Sequence, residues 1–221
     1  MKRILTVQDI SCVGKCSLTV ALPIISAAGV EAGILPTAVL STHTQFPTFT
    51  FCDLTEEIEK ISNAFETLDI DFDAIYTGYL GSFEQLSLVS DLFDRNRAEK
   101  CAIVIDPVMA DNGKLYRGFT PEFAREMAKL CGKADLIMPN LTEASFMLDV
   151  PYACTENISR ALGIHREGRK RCRFHLACYE SVPDKLIELI LVICEVCFYL
   201  LGLKVHTGGS DRFVCVLDTR F

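Results

Sequence analysis

Residues 101–116 read CAIVIDPVMADNGKLY, a short apolar run that ends in two aspartates on a loop containing proline and glycine. The apolar part predicts a buried strand. Asp106 and Asp111 follow its carboxyl end, which is where open α/β sheets bind their ligands. Carboxylates gathered at such an edge suit Mg²⁺ and phosphate groups.

A second apolar run, Asp135–Met138, leads in the same way into Asn140 and Glu143. The spacing of these two residues allows them to cap a helix and to face a ligand together. The alternative is that Asp106 and Asn140 only cap the turns that follow them. Their placement after successive strands favours a binding site.

The order of apolar segments along the chain indicates alternating strands and helices. This pattern predicts an α/β fold, with a doubly wound, mostly parallel sheet and helices on both faces. The predicted strands are Arg3–Val7, Gly33–Leu40, Ala74–Thr77, the run to Ile105 and Asp135–Met138. The predicted helices are Ser17–Ala28, Leu54–Leu68, Phe83–Asn96 and Pro121–Leu130.

Composition sets the class of protein. A length of 221 residues with 50% hydrophobic content predicts one globular domain over residues 1–221. The net charge of −7, without a basic tract in residues 1–150, argues against nucleic acid as a partner. Two glutamates interrupt the apolar run Leu186–Leu203, so a membrane span is not expected. The start of the chain has no secretory signal pattern, so we expect a cytoplasmic protein with reduced cysteines.

Five segments, taken together and in order, resemble the pyridoxal/pyridoxamine kinases of the ribokinase-like superfamily. The resemblance covers residues 2 to about 152. The segments are Gln8–Ser17, Ser41–Thr44, Tyr76–Tyr79, Asp106–Tyr116 and Pro139–Ala144.

The resemblance implies a role for each matching residue. The ring of a B6 vitamer would lie against residues of three loops, here Asp9, Ser11, Thr44 and Tyr79. ATP and its phosphates would be held by Asp106, Asp111, Tyr116, Asn140 and Glu143. Mg²⁺ would be bound by Asp106 and Glu143, directly or through water. The sequence departs from the family after Thr44, where Gln45 stands in place of the usual glycine.

The family also carries a Gly-Thr-Gly-Asp motif, in which backbone N–H groups form an anion hole and the aspartate accepts the proton of the attacking hydroxyl. The best match in this chain is His206–Asp211, with the parts in another order and one extra residue. The resemblance therefore implies that Asp211 is the catalytic base and that the N–H groups of Gly208 and Gly209 donate hydrogen bonds to the phosphates. A glycine/serine turn ending in aspartate is also a common loop.

The composition changes near the point where the resemblance ends. Residues 1–150 hold 12 Lys and Arg against 21 Asp and Glu, whereas residues 151–221 hold 10 against 8. We therefore expect residues 158–221 to form a divergent, poorly ordered tail of a C-terminally truncated kinase, and the segment after about Asn157 to be read in a shifted frame.

Three functions remain open. The first is ATP-dependent phosphorylation of the 5′-hydroxymethyl group of pyridoxal, pyridoxine or pyridoxamine. The second is phosphorylation of hydroxymethylpyrimidine by a kinase of the same superfamily. The third is a truncated, inactive protein that binds the vitamin. By resemblance, we also expect a homodimer with ATP and Mg²⁺ as cofactors.

Overall fold

The computed structural model describes residues 1–44, 46–97, 101–149, 151–152 and 178–179. The chain divides into two compact units, Met1–Asp106 and Pro107–Phe221. The single domain over residues 1–221 stays a prediction. Most of the predicted tail 158–221 lies outside the described residues.

The first unit contains five strands and three helices. The strands are β1 (Arg3–Val13), β2 (Glu31–Thr42), β3 (Phe51–Asp53), β4 (Ala74–Thr77) and β5 (Ala102–Ile105). The helices are α1 (Leu18–Ala27), α2 (Thr55–Thr67) and α3 (Phe83–Arg97). Strand and helix alternate along most of this unit, as the apolar pattern predicts.

Within this unit the strand order is β3-β2-β1-β4-β5. The pairs β1/β2, β1/β4 and β4/β5 are parallel, and only β3 runs antiparallel, against β2. The order reverses at β1, since the chain moves to one side to form β2 and to the other side to form β4. With right-handed crossovers, this reversal places helices on both faces and opens a crevice beyond the carboxyl ends of β1 and β4.

The core of the first unit is built from the central strands. Leu5, Val7, Ile75, Ile103 and Ile105 are fully buried. Each such side chain contributes about 1.5–3 kcal/mol by leaving water. Strands of a parallel sheet are covered on both faces, so they read as continuous apolar runs rather than alternating ones.

The second unit begins with a two-stranded hairpin, β6 (Ala110–Asp111) and β7 (Lys114–Leu115). Asn112 and Gly113 at its tip have φ angles of 52° and 78°, which a two-residue turn of type I′ requires. The unit continues with α4 (Pro121–Cys131), β8 (Leu136–Ile137), α5 (Leu141–Met147) and β9 (Cys178–Tyr179). Strands β8 and β9 pair antiparallel.

Two elements of the first unit differ from the expected pattern. Strand β1 continues six residues beyond the predicted Val7, because Ile10, Ser11 and Val13 still pair with β2. The predicted first loop is therefore partly strand. Strand β3 has three exposed residues and exists through its pairing with β2, so no apolar pattern marks it.

Among the described residues, no helix combines the length and the apolar character that crossing a bilayer requires. Cys12, Cys16, Cys52, Cys101 and Cys131 are free thiols.

Candidate active site

Asp9 lies at an irregularity of the sheet, where β1 and β2 change register between Gln8 and Ile10. Bulges of this kind redirect side chains and occur often beside active sites. Asp9 is 6% exposed and accepts hydrogen bonds from Ser17 and, at 3.1 Å, from the Ser11 hydroxyl. A carboxylate and a hydroxyl are therefore held together in the last part of β1.

Ser17 precedes α1, and its hydroxyl donates to Asp9 instead of capping the helix. Its backbone has φ 55° and ψ −133°, a strained conformation for a residue with a side chain. A bridge between Ser17 and Ile10 folds the loop back onto β1. The surrounding contacts thus maintain the strained turn that brings Ser17 to Asp9.

Cys16 also belongs to this cluster. Burial raises the pKa of its thiol, a hydrogen bond with Ser11 lowers it, and the charge of Asp9 raises it, with a net upward shift. The thiol is therefore kept protonated near neutral pH, which makes it a poor nucleophile.

His43 connects the end of β2 to the first loop. A Cβ atom on Gly14 would lie 2.1 Å from the Cδ2 atom of His43, so the imidazole ring lies directly on the Gly14 backbone. His43 also makes an edge contact with Phe46, at 4.7 Å between ring centroids. Thr44, the predicted ring-binding residue, is exposed next to His43.

Tyr79 follows β4 by two residues and is half-buried. Burial raises the pKa of its phenol, and the charges of Asp9 and Asp53 raise it further. The influence of Asp9 places Tyr79 within electrostatic reach of that cluster. The Tyr79 carbonyl accepts a hydrogen bond from the Thr37 hydroxyl at 3.0 Å.

Asp9 and Ser11 lie in the last part of β1 and Tyr79 follows β4, and these are neighbouring strands at the reversal of the strand order. Thr44 lies on the neighbouring segment. An acceptor, a donor and an aromatic ring on one apolar sheet edge form a typical site for a small polar ring.

Asp106 ends the first unit, directly after β5, and its N–H donates to the Thr77 carbonyl at 3.0 Å. The residue is half-buried, and this burial raises the pKa of its carboxyl group to about 7. A carboxylate in such a place needs a cation or donors to stay ionised.

In the second unit, Asn140 and Glu143 form a capping box at the start of α5. The Asn140 side-chain oxygen accepts from the N–H groups of Thr142 at 2.8 Å and Glu143 at 3.0 Å. The Glu143 carboxylate accepts from the N–H groups of Asn140 at 2.8 Å and Met109 at 3.3 Å. Asn140 therefore caps α5, and both lone pairs of its side-chain oxygen are used, so contact of Asn140 with a phosphate stays a prediction.

The same residues attach the hairpin that carries Asp111 and Tyr116. The Asn140 amide donates to the Ala110 carbonyl at 2.8 Å, and the Gly113 N–H donates to the Thr142 hydroxyl at 3.0 Å. Asp111 accepts from Asn112 within the turn, and the Tyr116 N–H donates to the Met109 carbonyl at 2.9 Å. Four predicted phosphate-site residues, Asp111, Tyr116, Asn140 and Glu143, therefore lie on one substructure.

Asp106 belongs to the first unit and Glu143 to the second, so their joint binding of Mg²⁺ stays a prediction. Within the part of the chain that the structure describes, no group of three or more His, Cys, Asp or Glu side chains is arranged to hold a metal ion. Gly208, Gly209 and Asp211 lie outside the described residues.

Ser17 and His43 lie in the segments that carry the resemblance but received no role from the sequence, and Thr37 and Gln85 lie outside those segments. Ser17 reads as an ordinary helix cap and Gln85 as an ordinary helix residue. Their roles depend on contacts between distant segments.

Comparison with known proteins identifies the family of this chain. The family model described as phosphomethylpyrimidine kinase matches residues 22–170. A Bacteroides thetaiotaomicron protein assigned as a phosphomethylpyrimidine kinase, in a crystal form with pyridoxal, is 42% identical, with a TM-score of 0.66 over 88% of this chain and 59% of that one. Pyridoxal kinase from Lactobacillus plantarum is 26% identical, with a TM-score of 0.62 over 97% of this chain and 67% of that one.

Pyridoxal kinase from Dictyostelium discoideum is 26% identical over 85% of this chain and 64% of its own length. This chain thus spans less than two thirds of that relative. The predicted α/β fold and the resemblance to pyridoxal kinases of the ribokinase-like superfamily are confirmed by these relatives. Because the family model matches more than half of the chain, the chain belongs to the phosphomethylpyrimidine kinase family.

Proposed function

We propose that this protein transfers the γ-phosphoryl group of ATP to the 5′-hydroxymethyl group of pyridoxal, pyridoxamine or pyridoxine. One observation supports the proposal: the hydrogen-bonded pair Asp9 and Ser11 lies within electrostatic reach of Tyr79, in a chain 42% identical to a protein crystallised with pyridoxal.

The chemistry of the crevice suits a pyridine ring with hydroxyl and aldehyde or amine substituents. The flat face of Tyr79 would stack on the ring, which is worth about 0.5–1.5 kcal/mol beyond area burial. The Asp9 carboxylate and Ser11 hydroxyl would bond the polar substituents. Thr44 would close the pocket from the segment after β2.

Phosphoryl transfer depends mainly on positioning and on neutralising charge. The vitamin hydroxyl oxygen bonds to the γ-phosphorus, the bond to the β-phosphate oxygen breaks, and ADP leaves. In this proposal Asp211 accepts the proton of that hydroxyl. The N–H groups of Gly208 and Gly209 form the anion hole. Asp111 and Tyr116, on the β6–β7 hairpin, would contact the phosphates.

Mg²⁺ supplies charge neutralisation on the phosphates. The donor set suits it, since Asp106 and Glu143 both offer carboxylate oxygens, the ligands that Mg²⁺ prefers. The raised pKa of Asp106 also fits a group that becomes fully ionised beside a cation. Glu143 already accepts two backbone N–H bonds, so it has only its remaining lone pairs, or a water, to offer the metal.

A second function is phosphorylation of hydroxymethylpyrimidine, which the description of the matching family favours. A third is vitamin binding without turnover. ADP release measured with pyridoxal, pyridoxamine and hydroxymethylpyrimidine separates all three. We expect turnover with the pyridines. Turnover with the pyrimidine alone would establish the second function, and pyridoxal binding without ADP release the third.

We further propose a cytoplasmic homodimer. Light scattering after gel filtration tests the dimer, and a mass of one chain would contradict it.

A further inference from the structure

The backbone around Tyr79 is held by a closed set of hydrogen bonds. The Thr37 hydroxyl donates to the Tyr79 carbonyl at 3.0 Å. The Gly81 N–H donates to the Gln85 side-chain oxygen at 2.7 Å, and the Gln85 side-chain amide donates to the Thr37 carbonyl at 3.0 Å. Thr37 and Gln85 thus bond to each other and to both sides of the Tyr79 loop.

Gln85 is placed where a capping-box residue would stand. The Ser82 hydroxyl accepts from the Gln85 N–H at 3.1 Å, which is the first half of such a box. The Gln85 side chain would then bond the Ser82 N–H, but it bonds the Gly81 N–H instead. The Gln85 side chain thus bonds one residue earlier than a capping box requires, on the loop that carries Tyr79.

The position of Gly81 matters because the Tyr79 ring lies on it. A Cβ atom on Gly81 would lie 3.0 Å from the Tyr79 hydroxyl oxygen and 3.1 Å from its Cε1 atom. A shift of the Gly81 backbone therefore moves the surface on which the phenol ring rests.

Both holding residues are inaccessible to solvent, with Thr37 0% and Gln85 1% exposed. The Gln85 amide also donates to the Thr55 hydroxyl at 2.9 Å, so the network extends to the start of α2. Buried and fully bonded networks are rigid, and removing one member leaves its partners unpaired.

We propose that Thr37 and Gln85 are positioning residues, which fix the Tyr79 ring at the place where the vitamin ring would stack. The inference rests on the proposed function. The side-chain hydrogen bonds of both residues join the Tyr79 loop, β2 and the start of α2, so we assign them an indirect role in binding.

The test uses two matched threonines. Thr37→Val removes the bond to Tyr79, and Thr6→Val removes an equivalent bond, from a hydroxyl that is also 0% exposed, to the Gly33 carbonyl at 3.0 Å. We expect similar losses of thermal stability. Only Thr37→Val should weaken pyridoxal binding, by about fivefold in Kd measured by calorimetry. Gln85→Met should weaken it further if that variant folds.

A double-mutant cycle separates positioning from general loosening. Tyr79→Ala alone should raise the pyridoxal Kd by about tenfold. Adding Thr37→Val to Tyr79→Ala should cause no further loss, because the threonine acts through that ring. Equal effects of Thr37→Val and Thr6→Val on Kd, or additive losses in the cycle, would overturn the proposal.

If the unsubstituted protein does not bind pyridoxal, the proposed function is wrong. The positioning role is then tested separately, by measuring the titration of the Tyr79 phenol. The phenol titration is followed by ¹³C NMR of labelled tyrosine and assigned with Tyr79→Phe. Thr37→Val should move the Tyr79 pKa toward its ordinary value, and Thr6→Val should leave it unchanged. An unmoved titration in Thr37→Val would then reject the positioning role independently.

Discussion

Gly14 and His43 are in direct contact, since a Cβ atom on Gly14 would lie 2.1 Å from the Cδ2 atom of His43. Gly14 also has a φ angle of 129°, which side chains disfavour. This contact joins the first loop to the segment that carries Thr44. Two of the three segments expected to surround the vitamin ring therefore depend on one another for their position.

Substitution of Gly14 by alanine tests this contact. Gly14→Ala must displace His43, so we expect a loss of stability of about 2–3 kcal/mol and a clear rise of the pyridoxal Kd. Gly29→Ala is the control, because Gly29 has φ 76° but open space at its Cβ position. It should lose only about 1 kcal/mol through backbone strain, with pyridoxal binding intact. Equal results for the two variants would show that the His43 contact is unimportant.

The thiol of Cys16 reports on Asp9 and Ser11. Besides burial, which raises its pKa, the Ser11 hydrogen bond lowers this pKa and the Asp9 charge raises it. Asp9→Asn should therefore lower the Cys16 pKa and speed its alkylation at neutral pH, whereas Ser11→Ala should slow it. Mass spectrometry of the Cys16 peptide after iodoacetamide treatment measures both rates, with Cys12 as the exposed internal reference. Rate changes in the same direction would contradict this arrangement.

Asp73 gives a pH dependence of stability. Burial raises its pKa, but bonds from the Lys2 ammonium and the Arg3 N–H outweigh burial and lower it below the usual value of 3.8. A lowered pKa in the folded state stabilises the protein above the unfolded pKa, and this contribution disappears as the pH falls through the folded pKa.

Asp73→Asn should therefore be less stable than the unsubstituted protein at pH 7, and the difference should shrink below pH 4. Urea unfolding at several pH values measures it. Asp91→Asn removes the same charge from the exposed face of α3 and serves as control. A difference that stays constant from pH 7 to pH 3 would rule out the charge of Asp73 as the cause.

The cap residue Asn140 should cost more to remove than an ordinary cap. Asn140→Ala deletes two cap bonds and the bond to Ala110, for which we expect about 2–3 kcal/mol. Thr120→Ala deletes the single cap bond of α4 and should cost about 1 kcal/mol. Only Asn140→Ala should speed hydrogen exchange of the Tyr116 amide in the attached hairpin. Equal exchange in both variants would show that the hairpin is held without Asn140.

Thr77 offers a stabilising substitution. Within the described part of the chain, its hydroxyl is the one buried side-chain polar atom without a hydrogen-bond partner. Thr77→Val keeps the shape and removes the unpaired group, so we expect a gain of about 1 kcal/mol in the free energy of unfolding. Thr6→Val, which removes a bonded hydroxyl, should lose stability instead. A loss in Thr77→Val would indicate that the hydroxyl has a partner in solution.

Several elements were predictable because their signals are local. Strand β4 has the predicted bounds, Ala74–Thr77, since a short apolar run followed by glycine is typical of a strand covered on both faces. Helix α4 begins with the cap Thr120 and Pro121 and ends at Gly132, each of which is a local boundary signal. The polar residues near the ends of the apolar runs were likewise recognisable as candidate site residues.

The site itself needed the tertiary structure. Sequence alone determined the α/β class and the candidate polar residues near the ends of β1, β4 and β5, because apolar periodicity and the change to polar residues are properties of neighbouring positions. Only the folded chain decided that Ser17 bonds Asp9, that His43 lies on Gly14 and that Gln85 holds the Tyr79 loop. These contacts join segments up to tens of residues apart, and their energies come from burial and hydrogen bonding that exist only after the sheet has brought the segments together.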